Sequence, residues 1–369
     1  MATVTDESPA ALAQVRRLYL HEFLHLVSGF WRHRAGGSAW VLTFAIFAVA
    51  VAEIIVQIQI NAWNGWFFDI LAAREPGRLG RVSLVFVGLA FAAIALGATG
   101  VLCRMLLQVR WRQWLTSEMF ELWLSDDRYM RLISIGEDSN NPEYRIAEDI
   151  RLATEPVTDF ATGLISALLT SAAFLGLLWT LGGEMTIPGI AIAIPGYMVY
   201  AVLLYSLVAW LFTLVIGGGY VSLVKDRNEA EAKLRYELIH LRETASLIKL
   251  VASPARGRAS VTRALAGVAR AWTRVAHRSA RMTWISYGNT IVAPVVPLLL
   301  VAPKYLSGEL SLGTVMQVSL AFVQVQVALN WFVANYARLA EWYASVVRVV
   351  ALEEALHDLP DHDERSGLP

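Results

Sequence analysis

Residues 21–25 read His-Glu-Phe-Leu-His, a pattern that places two imidazoles on one helix face for zinc, with the glutamate as general base. A catalytic zinc needs a third protein ligand, and no such ligand follows His25 at a recognisable spacing. The single cysteine, Cys103, excludes a multi-cysteine metal site and an internal disulfide. We therefore expect no metal site. A membrane metalloprotease that uses His21, Glu22 and His25 is kept as a remote alternative.

Polar residues interrupt two long apolar segments at helical spacing. The first segment carries a line spaced by four, four and three residues, which places its members on one helix face: Glu53, Gln57, Asn61 and Asn64. The last segment carries Gln317 and Gln324, seven residues apart. Polar side chains in hydrocarbon must face protein or water. The sequence therefore predicts either a hydrated substrate cavity in which Glu53 carries a proton, or interhelical hydrogen bonds, and both interpretations stay open.

The composition is that of a membrane protein. Of the 369 residues, 56% are hydrophobic and 17% charged, and the mean hydropathy is +0.49. An ordinary soluble domain is about 45–50% apolar and about 25% charged. The 31 basic residues are balanced by 31 acidic residues, so no net field favours a nucleic-acid partner. We expect an all-α membrane protein.

Six segments are long and apolar enough to cross a bilayer, approximately residues 40–63, 82–103, 160–181, 190–216, 284–301 and 312–332. An even number places both termini on one side. The positive-inside rule identifies that side as the cytoplasm, because 27 of the 31 basic residues lie in the two tails and in the second and fourth loops. No cleavable signal peptide is visible. The sequence predicts a multi-pass protein of the inner membrane with both termini cytoplasmic.

The loops differ strongly in length. The outward loops are short, whereas the two inward loops, about residues 104–159 and 220–283, are long enough for helical hairpins. Arms of this length would extend the spans roughly 35 Å into the cytoplasm at about 1.5 Å per residue. Residues 1–38 are predicted to contain an amphipathic helix in the membrane interface. Residues 39–350 form the predicted transport domain, and 351–369 a short cytoplasmic tail.

Several segments, in order along the chain, closely resemble one family, the transmembrane domain of ABC transporters of the YddA type. This family is related to the SbmA/BacA peptide-uptake proteins and to the peroxisomal fatty-acyl half-transporters. The matching segments are Asn61–Asp69, Arg110–Leu115, Asn141–Asp149, Leu234–Tyr236 with Arg242–Ala245, Ala302–Tyr305 with Gly308–Gly313, and Ala340–Trp342. They run from about residue 40 to residue 350.

The resemblance implies an exporter-type fold that works as a homodimer of six-span halves. It also implies that two cytoplasmic tips contact nucleotide-binding domains, and the candidate coupling residues carried over from it are Asn141, Arg145, Glu148, Asp149, Arg242 and Glu243. Ser246 stands where the family usually has an acid and Lys249 where it has a small residue. These two departures put the second tip's contact in doubt.

The energy source is open at this stage. No G-x-x-x-x-G-K-[ST] motif is present, and no nucleophile arrangement is recognisable, so we expect a transporter rather than an enzyme, with no cofactor in this chain. YddA-type proteins continue with an ATP-binding domain where this sequence ends, at Pro369. Three alternatives follow: a permease subunit with ATP on a partner chain, a proton-driven SbmA/BacA-like peptide transporter, or a truncated relative. The expected solutes are peptides or bulky amphipathic molecules, and the expected partners also include membrane lipid.

Overall fold

The computed structural model describes residues 22–23, 28–32, 36–134, 141–186, 193–243 and 254–357. Within them the chain is almost entirely helical, and six helices are long and apolar enough to cross a membrane, which confirms the predicted all-α membrane class and the number of spans. Continuous apolar sequence produces these helices because a backbone in hydrocarbon must satisfy its own hydrogen bonds.

The chain divides into two compact units, residues 1–181 with 308–369, and residues 182–307. The helices of the first unit are α1 (Gly36–Ala73), α2 (Pro76–Leu124), α3 (Arg128–Ser134), α4 (Pro142–Gly182, whose last residue belongs to the second unit) and α9 (Leu312–His357). Within it, α1 packs against both α2 and α9. A 3-10 turn, Ser125–Asp127, separates α2 from α3, with Asp126 and Asp127 at positive φ.

The described residues of the second unit, 182–186, 193–243 and 254–307, form a short antiparallel hairpin and four helices. The hairpin pairs β1 (Glu184–Thr186) with β2 (Ala193–Pro195), and the helices are α5 (Tyr197–Gly217), α6 (Tyr220–Glu243), α7 (Pro254–Val292) and α8 (Val295–Leu306). In this unit α7 packs against α6 and α5. The fourth span was predicted to begin at residue 190, which is wrong: residues 193–195 form β2, and the helix begins at Tyr197.

The predicted helical arms extend beyond the apolar spans. In the first unit, α2 and α9 continue as helix well past their apolar segments, and α9 runs on to His357, into the predicted tail. In the second unit α6 and α7 pair beyond the spans: Trp272 donates from Nε1 to Glu231 Oε1 (2.9 Å), and Ser260 donates to Glu237. The prediction of long helical extensions is confirmed.

The described residues of the N-terminal segment pack into the main hydrophobic core of the first unit. Phe23 and Phe30 are 1% and 3% exposed, and they share this core with Trp111 of α2 and Val349 of α9. Phe23 also meets Trp342 edge to face, with ring centroids 6.1 Å apart. Since these aromatic faces are covered by protein, the segment is attached to α2 and α9; its position in the membrane interface stays a prediction.

A cluster of carboxylates lies where this segment meets α9. Burial, together with the nearby carboxylates of Glu22, Glu354 and Glu118, raises the pKa of Glu353 to about 7. A carboxyl group whose pKa is raised in the folded state stabilises the fold below its unfolded pKa, near 4.5. That contribution is lost as the pH rises through the folded value.

We therefore expect the protein in detergent to lose stability between about pH 5 and pH 8, and Glu353→Gln to flatten this dependence. After allowance for solvent screening of a half-buried group, the effect should be about 1–2 kcal/mol. The midpoint of thermal unfolding, followed by tryptophan fluorescence across this pH range, measures it. A variant as pH-sensitive as the wild type would show that Glu353 is not the responsible group.

Candidate functional site

The polar line on α1 runs from a buried contact with α9 to a cavity beside α2. Asn61 is 3% exposed, and its Nδ2 donates to the backbone oxygen of Gln317, 3.0 Å away. Asn64 instead donates to Ile60 O on its own helix, at 3.2 Å. The structure therefore brings two of the predicted residues together, Asn61 and Gln317, across the α1–α9 interface.

Three successive members of this line have polar atoms with no protein partner. Gln57 Oε1 and Asn61 Oδ1 are buried without a hydrogen bond within the described residues. In the same part of the chain, the Glu53 carboxylate makes no hydrogen bond and no ion pair. An unsatisfied buried polar group costs about 1–3 kcal/mol and a charged one more, so packing within the described residues alone leaves this face of α1 unsatisfied.

Glu53 faces a cavity of about 170 Å³ between α1, α2 and α4. The lining residues of α2 next to it are glycines: a Cβ at Gly97 or Gly100 would lie 3.9 or 3.7 Å from Glu53 Oε1. Small residues therefore let the carboxylate lie directly against the α2 backbone. Arg104 also lines the cavity, but its Nε lies 3.3 Å from Asp159 Oδ1, so its charge is already compensated.

Asp159, at which three other polar side chains meet, was not predicted as a site residue. Its carboxylate accepts a hydrogen bond from Gln108 Nε2 at 2.8 Å, and Arg104 Nε and Arg338 Nη2 lie 3.3 and 3.7 Å away. These donors come from α2 and α9, while Asp159 lies on α4. The carboxylate therefore joins three helices at the end of their apolar segments. The sequence alone shows only an acidic residue next to Phe160, where the third apolar segment begins.

Asp69, near the end of α1, holds the start of α9. Its Oδ1 accepts from the backbone nitrogen of Gly313 at 2.8 Å, and its Oδ2 from Ser311 Oγ at 3.1 Å. An anion at a helix N-terminus satisfies otherwise unpaired N–H groups and interacts favourably with the helix dipole. Asp69 and Gly313 fall within matching family segments, and the structure shows that they act together in packing.

Two glycines allow this contact to be close. A Cβ at Gly313 would lie 2.1 Å from Gly65 O and 2.6 Å from the Asp69 carboxylate, and a Cβ at Gly65 would overlap the Gln317 side chain. At Gly313 the clash is with backbone, so a side chain there would require the helices to separate, whereas a side chain at Gly65 would require the Gln317 side chain to move. The contact of Gly313 with the backbone oxygen of Gly65 therefore sets the distance between α1 and α9, and so the position of Asn61 against Gln317.

The predicted first coupling tip is fixed to α9 by an ion pair whose carboxylate is buried. Residues Arg145–Asp149 form a π-helical turn within α4. Asp149 is 1% exposed, and it accepts from Arg348 Nε at 2.9 Å and Nη2 at 2.8 Å. Arg145 Nη1 donates to Arg348 O at 3.4 Å. The buried Asp149 carboxylate therefore positions the tip through its contact with α9. Its partner Arg348 was not predicted from the sequence.

The other candidate coupling residues are more accessible. Asn141 is exposed in a left-handed conformation (φ 33°) directly before α4, and its backbone oxygen accepts from the nitrogens of Tyr144 and Arg145. Glu148 pairs with Arg151. In the second unit, Arg242 and Glu243 are exposed at the end of α6. The rest of the predicted second tip, residues 244–250, lies outside the described residues.

The remaining predicted positions add no second polar cluster. Gln324 of α9 is half-buried and makes no hydrogen bond in the described part of the chain. Of the possible zinc motif only residues 22 and 23 are described, with Glu22 exposed; His21 and His25 lie outside. Among the residues that the structure describes, no three His, Cys, Asp or Glu side chains could hold a metal ion. The zinc hypothesis is left untested.

Replacement of Gly313 by alanine should separate α1 from α9. We expect Gly313→Ala to lower the free energy of unfolding by about 1–3 kcal/mol, because overpacking forces the backbones apart. Gly88→Ala is the matched control, since a Cβ at that helical glycine meets nothing within 4 Å. Thermal unfolding in detergent compares them, and equal midpoints for the two variants would contradict the close-contact account.

Loss of Arg348 should cost more than loss of an exposed arginine. Arg348→Gln leaves the Asp149 carboxylate buried without its partner, for which we expect about 3 kcal/mol of destabilisation. Arg112→Gln removes a pair that is about 40% exposed on both sides, with its atoms 3.5 Å apart, and should cost less than about 1 kcal/mol. Adding Asp149→Asn to Arg348→Gln should recover part of the loss in thermal unfolding. Equal effects of the two single variants would refute the structural role of this pair.

Several known proteins are similar in sequence to this chain over most of its length. The chain is 29% identical over 359 residues to the inner membrane ABC transporter ATP-binding protein YddA of Escherichia coli, which covers 95% of this chain and 63% of that protein. It is 21% identical over 348 residues to the chloroplastic ABC transporter D family member 2 of Arabidopsis thaliana, covering 94% of this chain and 47% of that protein. The chain thus spans less than two thirds of the length of these relatives.

A third relative is an ABC transporter ATP-binding protein of Synechocystis, 26% identical over 264 residues, which are 71% of this chain and 38% of that protein. Residues 33–306 match the profile of the family described as ABC transporter transmembrane region 2. This match covers well over half of the chain and confirms the resemblance found in the sequence. The chain therefore belongs to the ABC transporter transmembrane region 2 family and is a multi-pass membrane protein.

Proposed function

We propose that the chain is the transmembrane permease subunit of an ABC transporter that moves peptides or bulky amphipathic solutes across the inner membrane. The ATP-binding component is supplied by another chain, and the working unit contains two copies of this one. The observation that carries the proposal is the polar face of α1, on which the Glu53 carboxylate, Gln57 Oε1 and Asn61 Oδ1 have no hydrogen-bond partner within the described residues. A helix in hydrocarbon retains such a face where it lines a water-filled or substrate-filled space.

The proposed orientation places both termini and both helical tips in the cytoplasm. The concentration of basic residues in the tails and in the second and fourth loops supports it. In this orientation Asn141, Arg145 and Glu148 form the first surface for an ATP-binding partner, and Arg242 with Glu243 begins the second. Asp149 acts through its contact with Arg348, since its own carboxylate is buried.

A second candidate is proton-driven uptake without an ATPase. The specific observation in its favour is the Glu53 carboxylate, which lies in a glycine-lined cavity with no cationic partner in the described part of the chain. In that environment the protonated, neutral carboxyl group costs less free energy than a permanently ionised carboxylate, which favours a residue that binds and releases a proton. Both candidates place Glu53 in the transport path, but they differ in what drives the cycle.

Vesicles reconstituted with the chain distinguish the two drives. We expect accumulation of a labelled amphipathic peptide only when an ATP-binding partner and ATP are present, and no accumulation from a pH gradient alone. Glu53→Gln should reduce the ATP-dependent rate, because it removes the charge from the polar face of α1. Glu184→Gln, at an exposed strand outside the spans, is the matched control and should transport normally.

A pH gradient that drives uptake without an ATPase, and loses this ability in Glu53→Gln, would replace the permease proposal by the proton-driven one. If the pH gradient and the ATPase both fail to drive movement of the peptide while the protein is correctly folded, the proposed function itself is wrong. Thermal unfolding of each reconstituted variant provides the check on folding.

A further inference from the structure

The second unit contains a basic cavity at the end of the fourth span that the proposed transport function does not use. Its volume is about 530 Å³, and it lies between α5 and α7. Six residues line it: Val215, Ile216, Arg278, Arg281, Trp284 and Ile285. The walls are therefore apolar side chains and two arginines. A cavity of this size lies within the range of about 300–1,000 Å³ typical of sites for organic ligands.

The cavity lies where the apolar sequence of α5 ends. Val215 and Ile216 are its last apolar residues before Gly217, and Gly219 then adopts a positive φ of 80° between α5 and α6. On α7, Trp284 is 82% exposed. Tryptophan at the end of a membrane span marks the level of the lipid head groups. The cavity is thus at the boundary between hydrocarbon and water.

Arg278 has a structural role in this cavity. Its Nη1 donates to the backbone oxygen of Ile216 at 3.0 Å, one of the last carbonyls of α5. A cation at a helix C-terminus is favourable, and the contact fixes the guanidinium between the two helices. Arg278 makes no ion pair with a carboxylate in the described part of this unit, where the ion pairs are Arg274 with Asp226 and Lys225 with Glu229.

Arg281 has no such role. It is exposed and makes no ion pair or hydrogen bond in the described part of the chain. None of the described residues that line the cavity is acidic. Two positive charges therefore face one small, partly apolar space without compensation, which favours a negatively charged occupant.

Apolar surface continues from the cavity along the spans. Val215 is 77% exposed, Leu211 47% and Tyr287 68%. An occupant that uses both features needs an anionic group for the arginines and hydrocarbon for this surface. Basic pockets between transmembrane helices bind anionic lipid head groups in this way.

We propose that the cavity between α5 and α7 binds an anionic phospholipid, with its phosphate at Arg281 and Arg278 and its acyl chains along the apolar surface beside Val215 and Tyr287. Trp284 covers the glycerol region of the lipid. The site is independent of the polar face of α1, so its failure and the failure of the proposed transport function are separate results.

Native mass spectrometry of the purified full-length protein, with its lipid removed in neutral detergent, tests this assignment. The ligands are dioctanoyl phosphatidylglycerol and dioctanoyl phosphatidylcholine, which share acyl chains and differ in net charge. We expect tighter binding of phosphatidylglycerol, and a loss of about fivefold in its affinity in Arg281→Gln. Arg281→Lys, which retains the charge, should retain most of the affinity.

Arg270→Gln is the matched control. Arg270 is exposed on the same face of α7, three helical turns or about 16 Å from Arg281, and it should leave the lipid preference unchanged. Equal affinities for the two lipids, or an unchanged preference in Arg281→Gln, would overturn the proposal. Inorganic phosphate that displaces the lipid at millimolar concentration would identify a site for small anions, which also contradicts it. Unfolding midpoints of all variants confirm that binding is compared between folded proteins.

Discussion

The structure is governed by the requirement that polar groups inside an apolar helix find a partner. Most of those described in the first unit do so. Asn61 reaches a backbone oxygen of α9, Asp69 accepts from Ser311 and the backbone of Gly313, and Asn64 returns to its own helix. These contacts fix α1 against α9 and so determine how the polar face of α1 is presented. Glu53 and Gln57 are the exceptions, because the Glu53 carboxylate and Gln57 Oε1 have no protein partner in the described part of the chain.

The same requirement explains how much could be predicted from sequence. Spans were found because a run of about twenty apolar residues has only one stable backbone solution in a bilayer. The polar line on α1 was visible because helical periodicity places Glu53, Gln57 and Asn61 on one face. The start of the fourth span was misplaced because residues 193–195 are as apolar as a span, yet pair with residues 184–186 as a hairpin.

Contacts between segments that are distant in the chain could not be predicted from the sequence. Asp149 was predicted as a coupling residue, but its partner Arg348 is 199 positions away and no local pattern joins them. Asp159 receives donors from α2 and α9 for the same reason. Gly313 appeared only as part of a family segment, and its need to be glycine depends on the backbone of Gly65. Such pairings follow from helix packing, which the order of residues in one helix does not determine.

The central claim is that the cavity at Glu53 is open to water and to solute. Reaction of Glu53→Cys with a charged, membrane-impermeant methanethiosulfonate, in a Cys103→Ser background, tests this most directly. Ile54→Cys is the control, since Ile54 is adjacent in sequence and 8% exposed. The account predicts rapid labelling at position 53 and none at position 54. A folded protein whose cysteine at position 53 is as inert as the one at position 54 would contradict it.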